Sequence, residues 1–288
     1  MLVLCTLVWG SNTVVGRALY QDVPPVGLSF WRNGVALVVL IPFTARQLRA
    51  AWPSLRERWG VVLACGLVGT ALFNYVFYRG LHTTTAINAG ILMALSPAII
   101  PALAWIILGD RLRGRELLGI GVSSVGVAYL VTQGRFGSLD TIVGRVGDFL
   151  ILASALCWSI YSVVVKLRPT EVDPLPFLTA VLFVAVLGLM PFYLWEHFVA
   201  RPVPLDARSM LAVVYLGVFP TAVALWLFNL AVDRIGPTRA GLYIHLVPVF
   251  SAVLAVIFLG ETLEWFQVLG AIPIAVGLYL TTTAGARL

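Results

Sequence analysis

Mostly apolar runs, each close to the ~20 residues a bilayer-spanning helix needs, follow one another along the whole chain. They predict ten helices, at about 2–19, 26–45, 59–80, 85–108, 116–132, 148–166, 175–195, 210–232, 237–259 and 265–283. Short polar links carrying Pro, Gly or Arg separate them. The longest link falls between the fifth and sixth runs. No run alternates with the period of two that a strand requires. The pattern therefore predicts an all-α membrane protein.

One stretch occurs twice. Residues 86–112 (AINAGILMALSPAIIPALAWIILGDRL) and 237–263 (PTRAGLYIHLVPVFSAVLAVIFLGETL) align without a gap, with ten identities in 27 positions. Among these are Gly90/Gly241, Pro97/Pro248 and Gly109/Gly260, while Asp110 and Glu261 keep the charge. The echo extends to Trp9 with Arg17 against Trp158 with Lys166, to Gly69-Thr70-Ala71 against Pro220-Thr221-Ala222, and to Leu118-Gly119 against Leu269-Gly270. Residues 1–133 then form a first repeat of five helices, 134–147 a linker, and 148–288 a second repeat of five. Five is odd, so the second repeat enters the membrane in the opposite sense. Inverted repeats of this kind are the architecture of secondary transporters, where exchanging the conformations of the halves reverses access.

Composition agrees with lipid as the main solvent. The 288 residues are 60% hydrophobic and 11% charged, against about 25% charged in soluble domains. The net charge of +6 is spread between apolar runs and gives no nucleic-acid surface. Twelve of the Arg and Lys residues fall on one side of the alternating links and six on the other, which predicts cytoplasmic termini. The three cysteines sit inside apolar runs, at spacings that fit neither zinc nor a redox pair. The first run has no basic leader or cleavage site and is not read as a signal peptide.

The inventory of reactive groups argues against an enzyme. Asp110, Glu116, Asp148, Glu261 and Glu264 all lie at predicted helix ends, and no GxSxG, HExxH or Walker sequence occurs. What the runs do hold is polar and aromatic side chains. Singly, each reads as an interhelical hydrogen bond or an interface aromatic. Together, Trp9, Asn12, Asn74, Tyr78, His82, Trp158, Tyr161, Asn229, Tyr243 and His245 are candidates to line a cavity that is aromatic, hydrogen-bonding and nearly uncharged. Such a cavity suits a small amphiphilic solute better than an ion. Gly90, Pro97, Pro101, Gly241 and Pro248 are candidate hinges, because matched positions in two halves favour bending points over tolerated breaks. Arg32 has three readings: snorkelling to the outer interface, a structural pair with an acid or carbonyl, and, after these, a contact for a substrate carboxylate. Lys166, the only lysine, reads as a snorkelling anchor. With no acid mid-membrane, passive uniport is the expected mode, with His82 and His245 the residues to suspect if it fails. No cofactor and no obligate protein partner are expected.

With these residues in view, the chain resembles the EamA branch of the drug/metabolite transporter superfamily. The matching pieces are VWGSN at 8–12, the Arg32 position, 108–127 (LGDRLRGRELLGIGVSSVGV), 147–166 (GDFLILASALCWSIYSVVVK) and 259–280 (LGETLEWFQVLGAIPIAVGLYL). Asp110 stands where that family usually has the Glu seen at Glu261. The resemblance implies ten helices in two inverted repeats, cytoplasmic termini, a cavity built from spans one, three, four, six, eight and nine, and export of small metabolites across the bacterial inner membrane. Within the family the chain looks most like the YddG-type exporters of aromatic and other neutral amino acids. Other expectations are an exporter of a purine, a sugar derivative or a drug, or a receptor or scaffold that transports nothing.

Overall fold

The computed structural model describes residues 1–109, 114–132, 134 and 146–283. The described residues are helical, and no strand occurs among them. The helices are α1 (Leu2–Ala18), α2 (Pro25–Glu57), α3 (Trp59–Leu81), α4 (Ala86–Met93), α5 (Ser96–Leu108), α6 (Gly114–Thr132), α7 (Val146–Leu167), α8 (Pro174–Ala200), α9 (Ala207–Pro237), α10 (Leu246–Leu259) and α11 (Trp265–Thr283). Five of them, α2, α3, α7, α8 and α9, are long and apolar enough to cross a membrane. The bent pair α4–α5 makes a sixth, and shorter apolar helices lie in α1, α6, α10 and α11. The expected linker at 134–147, the Asp110 side of the repeated stretch and the C-terminal Arg287 fall largely outside the described residues.

Helix α2 runs further than its apolar pattern predicts, through Glu57 instead of ending near residue 45. The extension ARQLRAAWPSLRE is rich in Ala, Arg and Leu, which favour helix. It is also amphipathic: Leu55 is buried and Leu48 and Ala51 lie against the core, while Arg46, Arg49 and Arg56 are exposed. A link that composition marks as polar is thus a helical overhang at the membrane edge.

Three departures from plain α-helix occur in matched places. First, α3 contains a π-helical segment at Ala64–Leu72, and α9 one at Gly217–Val223. In each, a threonine hydroxyl satisfies a carbonyl five residues back: Thr70 Oγ1 donates to the Cys65 carbonyl (2.9 Å) and Thr221 Oγ1 to that of Leu216 (2.8 Å). In α9 the cause is plain. Pro220 has no N–H for the Leu216 carbonyl, and the next residue supplies a hydroxyl instead. Second, α5 stops at Gly109 (φ 73°), and Gly260 (φ 65°) follows α10, both in the left-handed region that glycine adopts without strain. Third, the predicted fourth span breaks at Ala94–Leu95 and bends by 42°. A 3-10 turn at Tyr243–His245 precedes α10 in the corresponding place. Pro97 therefore lies in the first turn of α5, where its missing N–H costs nothing. Pro248 lies likewise in the first turn of α10. Pro101 sits inside α5. The side chain of Pro97 lies outside the described residues.

Two carboxylates hold helix starts from elsewhere in the chain. Glu196, at the end of α8, accepts from the backbone N–H groups of Val26 (3.3 Å) and Gly27 (2.6 Å) in the first turn of α2. Glu261, after α10, accepts from those of Ala86 (2.9 Å) and Ile87 (3.1 Å) in α4, and Thr85 Oγ1 accepts from Asn88 N–H (3.1 Å). Each places negative charge at the positive end of a helix dipole. Glu261 also joins α4 to the loop after α10, across 174 and 175 residues of sequence. Glu261→Ala is expected to cost about 1–2 kcal/mol, the worth of an N-terminal cap. In a thermal melt of purified protein that lowers the midpoint by about 2–8 °C, and Glu261→Gln recovers less than half of it, because one amide oxygen cannot accept from both N–H groups and carries no charge.

The tightest helix pairing is between α6 and α11, which meet on small residues. A Cβ on Gly126 would stand 2.8 Å from the Gly270 carbonyl oxygen, and one on Gly277 would overlap the Gly119 carbonyl oxygen and Ser123 Oγ. Where lipid removes the hydrophobic drive for helix association, close backbone approach of this kind supplies it by packing. Elsewhere α2 packs against α8, α1 against α10 and α3 against α7.

Candidate functional site

At the meeting point of α1, α3, α7, α9 and α10 the described structure encloses a cavity of about 660 Å³ of empty space, its opening included. Helix α1 contributes Trp9, Asn12 and Thr13, and α2 contributes Arg32. The π segment of α3 and its continuation supply Gly69, Thr70, Phe73, Asn74 and Phe77, and Met93 comes from α4. Trp158 of α7, Pro220, Thr221 and Leu225 of α9, Ile244 of the 3-10 turn and Val247 of α10 complete the wall. Both π segments thus border the cavity, and the local widening of the helix is what turns Thr70 and Thr221 toward it.

Part of the cavity wall is aromatic. Trp9 and Trp158 meet edge to face with centroids 5.1 Å apart, and Phe228 and Phe73 lie 5.1 and 5.7 Å from Trp158. Trp9 is oriented by its indole N–H, which donates to the Pro220 carbonyl (3.2 Å), a bond between the first helix and the π segment of α9. Such edge-to-face and tilted pairs fix ring orientation beyond simple burial.

The polar part of the wall is organised by Arg32. Its side chain is 5% exposed. Nε and Nη2 donate to Thr221 Oγ1 (2.9 and 2.6 Å), and Nη1 donates to Asn12 Oδ1 (3.0 Å) and to the Tyr78 hydroxyl. Tyr78 in turn donates to Asn12 Oδ1 (2.7 Å). Among the described residues no carboxylate pairs with Arg32. Among the described lining residues it is the only charged side chain. Snorkelling, the first sequence reading, is overturned because the guanidinium points inward to partners on three other helices.

The other sequence candidates fall in distinct places. Trp9, Asn12, Asn74 and Trp158 line the cavity. Tyr78 stands behind it, fully buried against Arg32. Tyr161 and Asn229 are buried and bond each other (2.8 and 3.0 Å), an interhelical pair that joins α7 to α9. His82 is not in the lining. It lies just past α3, edge-on to Tyr20 with centroids 5.8 Å apart. Burial, with Arg79, Arg17 and Arg201 nearby, holds its imidazole below the ordinary range, so it is neutral at neutral pH. Tyr243 is 40% exposed, because the 3-10 turn directs its neighbour Ile244 to the cavity instead. The His245 side chain lies outside the described residues. Of the hinge candidates, Gly90 is a packing glycine: a Cβ there would stand 3.0 Å from Ser251 Cβ and 3.2 Å from Pro248 Cα. Gly241 is less crowded, its nearest contact being Ile100 at 3.5 Å.

Sequence reasoning underweighted Arg32 and missed Thr221 as a site residue. The signal for Thr221 was present in the matched triplets Gly69-Thr70-Ala71 and Pro220-Thr221-Ala222, which mark the two π segments.

Comparison with known proteins places this architecture. The EamA-like transporter family model matches residues 1–132 and 145–283. A transporter of Archaeoglobus fulgidus, described as uncharacterised, is 30% identical over 98% of this chain and 96% of its own length. A protein of Escherichia coli K12 described as a probable amino-acid metabolite efflux pump is 26% identical over 97% of this chain and 93% of its own. A crystal structure described only as that of a protein superposes with a TM-score of 0.67 at 22% identity, covering 99% of this chain and 96% of that one, which indicates a shared fold. The chain is thus a multi-pass membrane transporter and belongs to the EamA-like transporter family.

Proposed function

We propose that the protein exports neutral, especially aromatic, amino acids across a bacterial inner membrane by alternating access, with ten spans arranged as two inverted five-helix repeats and both termini in the cytoplasm. The observation that carries the substrate reading is the cavity wall itself, which combines the aromatic rings of Trp9, Phe73 and Trp158 with polar groups around one cation, Arg32. A neutral amino acid has the same mixed character, an apolar side chain on one carbon with charged groups. The Escherichia coli relative, described as a probable amino-acid metabolite efflux pump, supports the same class.

Support for the inverted repeat comes from paired features at a spacing of 151: the glycines at 109 and 260, the threonines at 70 and 221, and the π segments around those threonines. The arginine bias across the links supports the orientation. The helix breaks ahead of Pro97 and Pro248 are the proposed bending points of the two gates, one in each half.

Uniport follows from the lining. Among the described residues no carboxylate or histidine borders the cavity, and proton-driven carriers hold such groups in the membrane. Transport in proteoliposomes is accordingly expected to be flat between about pH 6.5 and 8, a range in which none of the described lining residues is a histidine or carboxylate. An imposed pH gradient should give no uphill accumulation. In cells, expression should raise tolerance to toxic amino-acid analogues and speed efflux of labelled phenylalanine, methionine and threonine. Trp158→Ala should remove both effects. Unchanged efflux of all three amino acids would defeat the amino-acid reading.

A further inference from the structure

Two buried polar atoms in the cavity wall have no hydrogen-bond partner among the described residues: Asn74 Oδ1 and Trp158 Nε1. Both side chains are more than nine-tenths buried, at 3% and 6% exposure. Leaving such an atom unpaired costs about 1–3 kcal/mol, so folded proteins retain few of them. Two orphans in the lining of one cavity, beside a buried cation without an acid partner, form a set that a ligand would complete. Its members are complementary in kind. Arg32 calls for an anion. Asn74 Oδ1 is an acceptor and calls for an N–H or O–H donor. Trp158 Nε1 is a donor and calls for an acceptor atom.

The Asn74 carbonyl is set up for this role by its neighbours. Its amide nitrogen is turned to Asn33 Oδ1 (3.4 Å), whose own amide donates to the Ser29 carbonyl (2.8 Å), so Asn33 engages the nitrogen and not the oxygen of Asn74. Asn74 also stands one helical turn before Tyr78, the residue bonded to Arg32. The acceptor and the cation both line the cavity. The other amide oxygen there, Asn12 Oδ1, already accepts from Arg32 and Tyr78.

We propose, as a step that rests on the exporter reading, that this polar part of the wall recognises an α-amino acid as a zwitterion, with Arg32 taking the carboxylate and the side-chain carbonyl of Asn74 taking the ammonium group. The charges require both contacts. A ligand carboxylate neutralises Arg32, while an amine without a carboxylate brings a second cation beside the guanidinium and is repelled. A carboxylic acid without an amine satisfies Arg32 but leaves Asn74 Oδ1 unpaired. Asn74 is thus a specificity-determining residue, and Trp158 Nε1 offers a further donor to an acceptor atom of the ligand.

The test is competition against labelled phenylalanine in proteoliposomes containing the full chain, using unlabelled phenylalanine, 3-phenylpropanoate and phenethylamine. For the wild type, 3-phenylpropanoate is expected to compete about 10- to 100-fold more weakly than phenylalanine, the worth of a hydrogen bond to a charged group. Phenethylamine is expected not to compete. In Asn74→Leu, phenylalanine should weaken to the level of 3-phenylpropanoate while the latter is unchanged. A merely structural Asn74 would weaken both together. Asn74→Asp, close to the native side chain in shape, should admit phenethylamine, and it decides the matter if the leucine variant fails to fold. Labelled phenylalanine that moves with the wild-type ratio intact in Asn74→Leu, or phenethylamine excluded by Asn74→Asp as by the wild type, would overturn this inference alone. Wild-type protein that moves no amino acid would overturn the exporter reading with it.

Discussion

Arg32→Gln is expected to reduce transport about 10- to 100-fold while leaving the protein as stable as the wild type or more so. The two effects separate because of what surrounds the guanidinium. It is buried, and no carboxylate among the described residues compensates it. A buried ion without a partner carries a desolvation cost of several kcal/mol. Its hydrogen-bond acceptors would not be stranded by its removal. Tyr78 still donates to Asn12 Oδ1, and Thr221 still donates to the Leu216 carbonyl. A thermal midpoint within about 3 °C of the wild type, or above it, is therefore expected in detergent. Transport falls because the anion-binding group of the cavity is gone, and a charge-assisted bond contributes about 1.5–3 kcal/mol. Arg32→Lys should rescue little, since one ammonium cannot hold Thr221, Asn12 and an incoming carboxylate together as a planar fork does. A fall in midpoint of about 10 °C in Arg32→Gln, with transport lost only in proportion to folded protein, would make Arg32 a structural residue.

Gly277→Leu should give the opposite profile, a loss of fold at a residue remote from the cavity. The new side chain would be driven into the Gly119 carbonyl and Ser123, where α6 and α11 are in backbone contact. Overpacking of a tight core costs about 1–3 kcal/mol and occasionally more, and this site lies at the upper end because the clash is with backbone. The thermal midpoint is expected to drop by about 10 °C, measured by a melt in detergent. Ile272→Val on the same helix is the control: Ile272 is 53% exposed and should leave the midpoint unchanged. Protein that survives Gly277→Leu should keep the wild-type preference among substrates.

How far the sequence carried these conclusions depends on the range of the signal. Runs of apolar residues marked where helices lie, and five of the described helices, or six with the bent pair, are long and apolar enough to cross a membrane. Trp9 and Trp158 could be singled out because each is an aromatic in a matched position of its half, and polar residues in apolar runs pointed to Asn12 and Asn74. Arg32 was harder. Its inward direction depends on Thr221, 189 residues away, and on Tyr78 and Asn12, none of which a local pattern reveals. The π segments were equally hidden, since widening a helix by one residue changes which side chains reach the cavity without altering its hydrophobicity. The same holds at Tyr243: the 3-10 turn rotates the wall by one residue and brings Ile244 in its place. The overhang of α2 was missed for another reason, since its arginines looked like a link while its alanines and leucines favoured helix.

Counterflow bears most directly on the central claim, that an amino acid crosses the membrane through the cavity between Trp9, Arg32 and Trp158. Proteoliposomes preloaded with unlabelled phenylalanine, with no pH or voltage gradient across them, should transiently accumulate labelled phenylalanine from outside. Trp158→Ala vesicles holding equal amounts of folded protein should not. Accumulation that is absent in the wild type, or equal in Trp158→Ala, would contradict the account.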